Sequence, residues 1–227
     1  MKILVINPNT TASMTTKIAA AARAVARPDT EIVAANSQNG PASIQGFLDV
    51  ATCVPGLLEE VARHPDVDAI VIACFDDTGL DAVRSLVSVP VLGIGEAAYH
   101  AASMIATKFS VITTLSRSVP GLENNLMRYG LAQKCARVRA TDIPVLKLEE
   151  GDPATLAKIQ SEIRTAIAQD QAEAIVLGCA GMADLMADLS AEFGLPVIDG
   201  VAAGVTFAEA LVNNRLSTSK IGAYSVA

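Results

Sequence analysis

The chain predicts an α/β protein of two pseudo-symmetric parallel-sheet halves, with helices on both faces of each sheet and a cleft between the halves. Short β-branched runs alternate with Ala-rich helical stretches from end to end, and one strand–helix–strand stretch occurs twice. The apolar residues, 51% of the chain, are mostly Ala, Val, Leu and Ile, with 5 Phe, 3 Tyr and no Trp. Strands buried on both faces read as continuous apolar runs, and parallel neighbours need crossover connections, normally helices. At 227 residues the chain is long enough to bury a substantial core.

Residues 2–6 read as a strand closed by the turn signal Asn7-Pro8-Asn9. Thr11 or Ser13 then caps a helix to about Val25, which Pro28 ends. Residues 31–35 form a second strand, and 36–41 a loop by composition, with Ile44 stranded just after it. Apolar residues at helical spacing run from Phe47 to Val61, and Pro55 inside them predicts a kink or two short helices. Residues 68–73 are an apolar strand leading into Cys74. The alternation continues through 80–87 (helix), 89–93 (strand), 96–106 (helix) and 109–113 (strand). Pro120 suits the first turn of a helix reaching about Tyr129. Stretches 138–140 and 145–148 are strand or irregular, and 152–168 is helix. A strand at 174–178, a helix at 182–193, a strand at 197–198 and a helix at 201–213 complete the pattern; the tail from Arg215 has weak signals.

The internal similarity carries the most information. Ala69-Ile70-Val71-Ile72-Ala73-Cys74 resembles Ala174-Ile175-Val176-Leu177-Gly178-Cys179. Each copy then runs through a helix to a matching strand, Val89-Pro90-Val91-Leu92-Gly93 and Leu195-Pro196-Val197-Ile198-Asp199. A fainter echo relates residues 3–6, followed by Asn7 and Thr10, to residues 110–112, followed by Thr113 and Ser116. The expected division is residues 1–96 plus 206–227 for the half with Cys74, and 97–205 for the half with Cys179.

Composition excludes several function classes. Seventeen Lys and Arg against 24 Asp and Glu give a net charge of −7, which with few aromatic rings weighs against nucleic acid and anionic membranes. No apolar window is long enough to span a bilayer, and the first apolar run stops at Asn-Pro, unlike a signal peptide. The expectation is a cytoplasmic protein, where Cys53, Cys74, Cys135 and Cys179 stay reduced. With no C-x-x-C pair and two His, no metal site is expected.

In open parallel sheets ligands bind outside the carboxyl ends of the strands, where Cys74 and Cys179 fall, each ahead of a helix. A helix N-terminus lowers a thiol pKa from about 8.5, so depressed values are expected. Two equivalent thiols across a cleft form a base and acid pair that inverts a carbon acid. The alternative for each is a small buried hydrophobe. Cys53 and Cys135 have no counterpart in the other half and read as ordinary core or surface thiols.

Three segments carry a resemblance: Ile6-Asn7-Pro8-Asn9-Thr10-Thr11, Ile72-Ala73-Cys74-Phe75-Asp76-Asp77-Thr78-Gly79-Leu80-Asp81 and Val176-Leu177-Gly178-Cys179-Ala180-Gly181-Met182. With residues 109–115 and 196–200, they resemble the hydantoin racemases of the aspartate/glutamate racemase superfamily over nearly the whole chain. The resemblance implies an isomerase: cofactor-independent racemisation of 5-monosubstituted hydantoins, or of the ureide allantoin, with Cys74 and Cys179 as the catalytic pair. It also implies a homo-oligomer and substrate contacts from Asn7, Ile44, Phe75, Asp76, Asp77, Thr113, Thr114, Ala180 and Gly181. Beside it stand the residues' own readings. Phe75 and Ile44 offer an apolar wall or ordinary packing. Asn7 and Thr113 offer ring-carbonyl partners or turn and cap roles. Asp76 and Asp77 read as caps of a helix beginning near Thr78, and a carboxylate there opposes thiol ionisation. The residues after each cysteine lack the polar pairs that suit an amino-acid substrate. An aspartate- or glutamate-type racemase, a decarboxylase relative, a redox thiol pair and a non-catalytic binding module remain the rivals. Gly93-Ile94-Gly95-Glu96-Ala97-Ala98 has the form of a dinucleotide fingerprint, but no acidic residue ends the next strand to hold a ribose; tight packing explains its glycines.

Overall fold

The computed structural model describes residues 1–225. The first half runs β1 (Lys2–Asn7), α1 (Ala12–Val25), β2 (Glu31–Asn36), α2 (Phe47–Ala62), β3 (Ala69–Ile72), α3 (Leu80–Leu86), β4 (Val91–Gly93) and α4 (Ile94–Ile105). The second runs β5 (Phe109–Thr113), α5 (Val119–Arg128), β6 (Cys135–Ala140), α6 (Pro153–Asp170), β7 (Ala174–Gly178), α7 (Met186–Phe193), β8 (Val197–Asp199) and α8 (Gly200–Asn213). The sheets have the orders β2-β1-β3-β4 and β6-β5-β7-β8, with all pairs parallel. The same order in both, and the matched registers Ile72↔Gly93 and Leu177↔Asp199, make the pseudo-symmetry a fact of topology.

The central strands have no exposed face: β1, β3, β5 and β7 are buried along almost their whole length. Each fully buried Ile, Leu or Val there contributes about 1.5–3 kcal/mol by leaving water. The last helix of each half crosses to the other. α4 packs on β7 and β8 as well as on α8, while α8 packs on β3 and β4. One core cluster therefore runs from Ile3 through Val71, Tyr99 and Phe109 to Val176 and Ala208, joining the inner faces of both sheets. Separate clusters lie under the outer helices of each half.

Three local expectations are narrowed or corrected. α2 is one helix through Pro55, which excludes the two-helix alternative. Pro55 and Ala51, whose carbonyl loses its partner, both face solvent, where an unmet bond costs least. Thr11 stands at the cap of α1, but its hydroxyl donates to the Ala42 carbonyl at 2.7 Å and caps nothing. The helix expected from Met182 begins at Met186, after a 3-10 turn over Ala180–Leu185. Among the described residues, no helix is long and apolar enough to cross a membrane.

Candidate active site

At the carboxyl ends of β3 and β7 the halves enclose a narrow cleft of about 30 Å³. β3 extends through Ala73 to Cys74, Phe75 and Asp76; β5 supplies Thr113 and Thr114; β7 supplies Gly178 and leads to Cys179 and Ala180. Ile44, Ser118 and Val145 complete the lining. Both thiols are free and partly exposed to the cleft.

The structure brings eight predicted site residues to this cleft: Ile44, Cys74, Phe75, Asp76, Thr113, Thr114, Cys179 and Ala180. Asn7, Asp77 and Gly181 do not line it. Asn7 is fully buried; its amide donates to Asn9 Oδ1 at 2.9 Å and Thr15 Oγ1 at 3.1 Å, which fixes the turn between β1 and α1. Gly181 donates its backbone N–H to the Cys179 sulfur. Sequence reasoning missed Ala73, Ser118, Val145 and Gly178. The internal repeat held a signal for Ala73 and Gly178, the matched residues before each cysteine. Ser118 and Val145 are brought in by folding alone.

Asp77 has a different role from the one expected. α3 begins at Leu80, capped by Gly79 in the left-handed region, so neither Asp76 nor Asp77 caps it. The Asp77 carboxylate instead accepts from Gly95 N at 2.8 Å and Glu96 N at 2.7 Å, capping α4 from 18 residues away, and Tyr129 Oη donates to it at 2.7 Å. A Cβ on Gly93 would lie 2.0 Å from Asp77 Oδ1, and one on Gly95 only 2.4 Å from the Phe75 carbonyl. The fingerprint glycines thus admit an internal carboxylate where a dinucleotide site would seat a phosphate. Asp77 adopts a φ of 53°, in the left-handed region, to reach them. Burial pushes its carboxyl up to about 7 despite three donors.

Cys74 Sγ donates to Asp76 Oδ2 at 3.8 Å and accepts from Thr78 Oγ1 at 3.7 Å. The expected lowering of the thiol pKa values is reversed. Burial, then the nearby Asp76 carboxylate, push Cys74 well above the ordinary thiol range; burial lifts Cys179 to about 11. The helix dipoles meant to offset this are weak: α3 starts six residues past Cys74, and Cys179 heads only a short 3-10 turn. Asp76 itself is raised to about 6 by burial. Cys53 is fully buried in α2 and Cys135 starts β6; neither reaches the cleft. Outward of Asp76 and Ser118 a second recess opens between the N-terminal ends of α2 and α5, bordered by Phe47, Val50, Arg117, Gly121, Asn124 and Asn125.

Two like-ordered parallel sheets, with a thiol after each matched strand, define a pseudo-symmetric two-sheet α/β class. The model of the Asp/Glu/hydantoin racemase family matches residues 3–208. A hydantoin racemase of Rhizobium meliloti is 48% identical over 227 residues, covering 99% of this chain and 94% of its own. One from Pseudomonas sp. (strain NS671) is 46% identical over 226 residues, covering 99% and 91%. Among solved structures, an allantoin racemase from Klebsiella pneumoniae superposes with a TM-score of 0.97 at 46% identity, covering 100% of this chain and 94% of that one. The chain belongs to the Asp/Glu/hydantoin racemase family, and it is an isomerase.

Proposed function

We propose that the protein racemises 5-monosubstituted hydantoins or the ureide allantoin, without a cofactor, by two-base proton transfer at C5 between Cys74 and Cys179. One thiolate removes the C5 proton while the opposite thiol delivers another to the other face. The charge that develops on the adjacent carbonyl oxygen is met by donors already in place, each worth about 3 kcal/mol. Thr114 and Ser118, which line the cleft, are the hydroxyl-bearing residues we assign to this role. Thr113 commits its own hydrogen to the Gly178 carbonyl at 3.1 Å and keeps only acceptor capacity.

The observation that carries the substrate class is the charge of the lining. Among the described residues no Lys, Arg or His lines the cleft, and its one charged group is the acidic Asp76. An amino-acid carboxylate would enter without a cation to meet it, at a cost that a neutral imide ring avoids. The names of the relatives, hydantoin and allantoin racemases, support the same reading. Polarimetry on hydantoins with small, aliphatic and aromatic C5 substituents, with allantoin and glutamate as controls, tests it. Loss of rotation with the former and none with glutamate is expected, with one deuterium entering at C5 on inversion in D2O. Activity on glutamate alone overturns the substrate class.

A further inference from the structure

We infer that Asp76 is the proton partner of both thiols, so that Cys74, Asp76 and Cys179 share two protons among three groups during turnover. The inference rests on the reading of the two cysteines as base and acid, and it identifies where the base comes from.

The need arises from the thiols themselves. A thiol acts as a base only after its own proton has passed to an acceptor within reach, and the cleft that holds both sulfurs must supply that acceptor. Among the described residues, Asp76 is the one titratable side chain besides the cysteines that lines the cleft. Its carboxylate already accepts the Cys74 S–H, while Asn125 holds its backbone carbonyl at 2.9 Å and leaves the carboxylate unburdened. Asp77 cannot serve, since its oxygens are committed to two backbone N–H groups and Tyr129. The raised affinity of Asp76 for a proton brings it closer to a thiol than an ordinary carboxylate is, which eases the transfer. The duplicated position in the other half is Gly181, so one carboxylate must serve both sulfurs.

The step balances without any further reactant. Cys74 passes its proton to Asp76 Oδ2; the S–H bond breaks, an O–H bond forms, and a thiolate remains. That thiolate takes the C5 proton, and the C–H electron pair moves into the enolate. The enolate carbon then takes the Cys179 proton on its opposite face. Asp76 returns its proton across the cleft to the Cys179 thiolate. For the other enantiomer the thiols exchange parts. No net proton is consumed, as an isomerisation requires. The titratable and charged groups around Asp76 are Cys74 and Asp77 on its own loop, Cys53 on α2, Tyr99 on α4, Cys179 after β7, and Arg117 ahead of α5.

The test is Asp76→Asn, read by racemisation in both directions and by iodoacetamide alkylation of Cys74 followed by mass spectrometry. Racemisation is expected to fall about 100-fold each way. Alkylation of Cys74 is expected to hold or quicken, because the charge that opposes its ionisation is gone. Asp76→Glu, which keeps a carboxylate, should retain roughly tenfold more activity than Asp76→Asn. Racemisation by Asp76→Asn at the wild-type rate or faster overturns the inference, as does equal loss in the Asn and Glu variants. If the unsubstituted protein racemises neither hydantoins nor allantoin, the racemase reading itself falls; if it does and Asp76→Asn matches it, only the role of Asp76 falls.

Discussion

After β7, Cys179 turns at once into the 3-10 segment Ala180–Leu185, whose one charged residue is Asp184. After β3, Cys74 enters a five-residue loop holding two carboxylates and a left-handed Asp77 before α3 begins. The strands leading to the two thiols are near copies, but the segments leaving them differ in length and charge. The helices capping the next strands repeat the contrast. α8 is capped by its own Asp199, which accepts from Val201 N at 3.2 Å and Ala202 N at 2.8 Å. Gly93 occupies that place before α4, and the carboxylate comes instead from the Cys74 loop. Symmetry of backbone thus coexists with asymmetry of charge. The first half ties its thiol loop to the second through Tyr129 of α5, while the turn after Cys179 is tied to the first half by the ion pair of Asp184 with Lys17 of α1 at 3.5 Å.

The largest test of the comparison replaces each thiol. Cys74→Ser and Cys179→Ser should each lower racemisation of both enantiomers by about 1000-fold, since a hydroxyl is a far poorer acid and base near neutrality. Polarimetry from each pure enantiomer reads this. If one variant stays near normal in both directions, the two ends are not partners in one reaction.

Next in size is the contrast between the two caps. Asp77→Asn leaves one amide oxygen to serve three donors and turns an N–H group toward another donor, at a cost of about 2 kcal/mol. Asp199→Asn keeps an amide oxygen for Ala202, and asparagine is itself a good cap, so its cost should be under about 1 kcal/mol. Urea unfolding of the two variants measures the difference. Equal losses would mean that the long-range cap carries no more of the fold than the local one.

Much of the architecture is legible in the sequence. Apolar strands between Ala-rich helices specify doubly covered parallel sheets, and the repeat around Cys74 and Cys179 places both thiols at equivalent strand ends. The asymmetry is not legible there, because it depends on distance in space. Nothing local in Phe75-Asp76-Asp77 says that Asp77 reaches the N-terminus of α4, 18 residues on. The glycines at 93 and 95 stand out in the sequence, yet what fills their space comes from another loop. The thiol pKa values run opposite to expectation for the same reason: helix position can be read in sequence, burial and the approach of Asp76 cannot.

The titration of the fold adds to the contrast. Burial raises Asp76 to about 6 and Asp77 to about 7. Between the unfolded carboxylate pKa, about 4, and those values the folded chain holds protons that the unfolded chain has released, so stability falls as pH rises. The thermal midpoint should therefore drop between about pH 4 and 7, the window of those shifts. Cys74 and Cys179 extend the same trend above the ordinary thiol range, where the unfolded chain loses protons first. Asp77→Asn should flatten the slope between about pH 4 and 7; a slope unchanged by that variant would mean that Asp77 is not its source.

The smallest expected effect separates two tyrosines at the join between the halves. Tyr99 of α4 lies edge-on to Phe75 at 5.2 Å and stacks on Phe109 at 6.1 Å, so its ring bridges a residue after β3 and a residue of β5. Its hydroxyl is buried with no hydrogen-bond partner, whereas the Tyr129 hydroxyl donates to Asp77. An unmet buried hydroxyl carries a desolvation cost that its removal relieves, and a met one contributes on the order of 1 kcal/mol. Tyr99→Phe should leave stability unchanged or raise it by up to about 1 kcal/mol, while Tyr129→Phe should lower it by about 1–2 kcal/mol, the larger figure reflecting the charged acceptor. Chemical unfolding of the pair decides the matter. If Tyr129→Phe proved as harmless as Tyr99→Phe, the link from the Cys74 loop to the second half would run through ring packing and not through the Asp77 carboxylate.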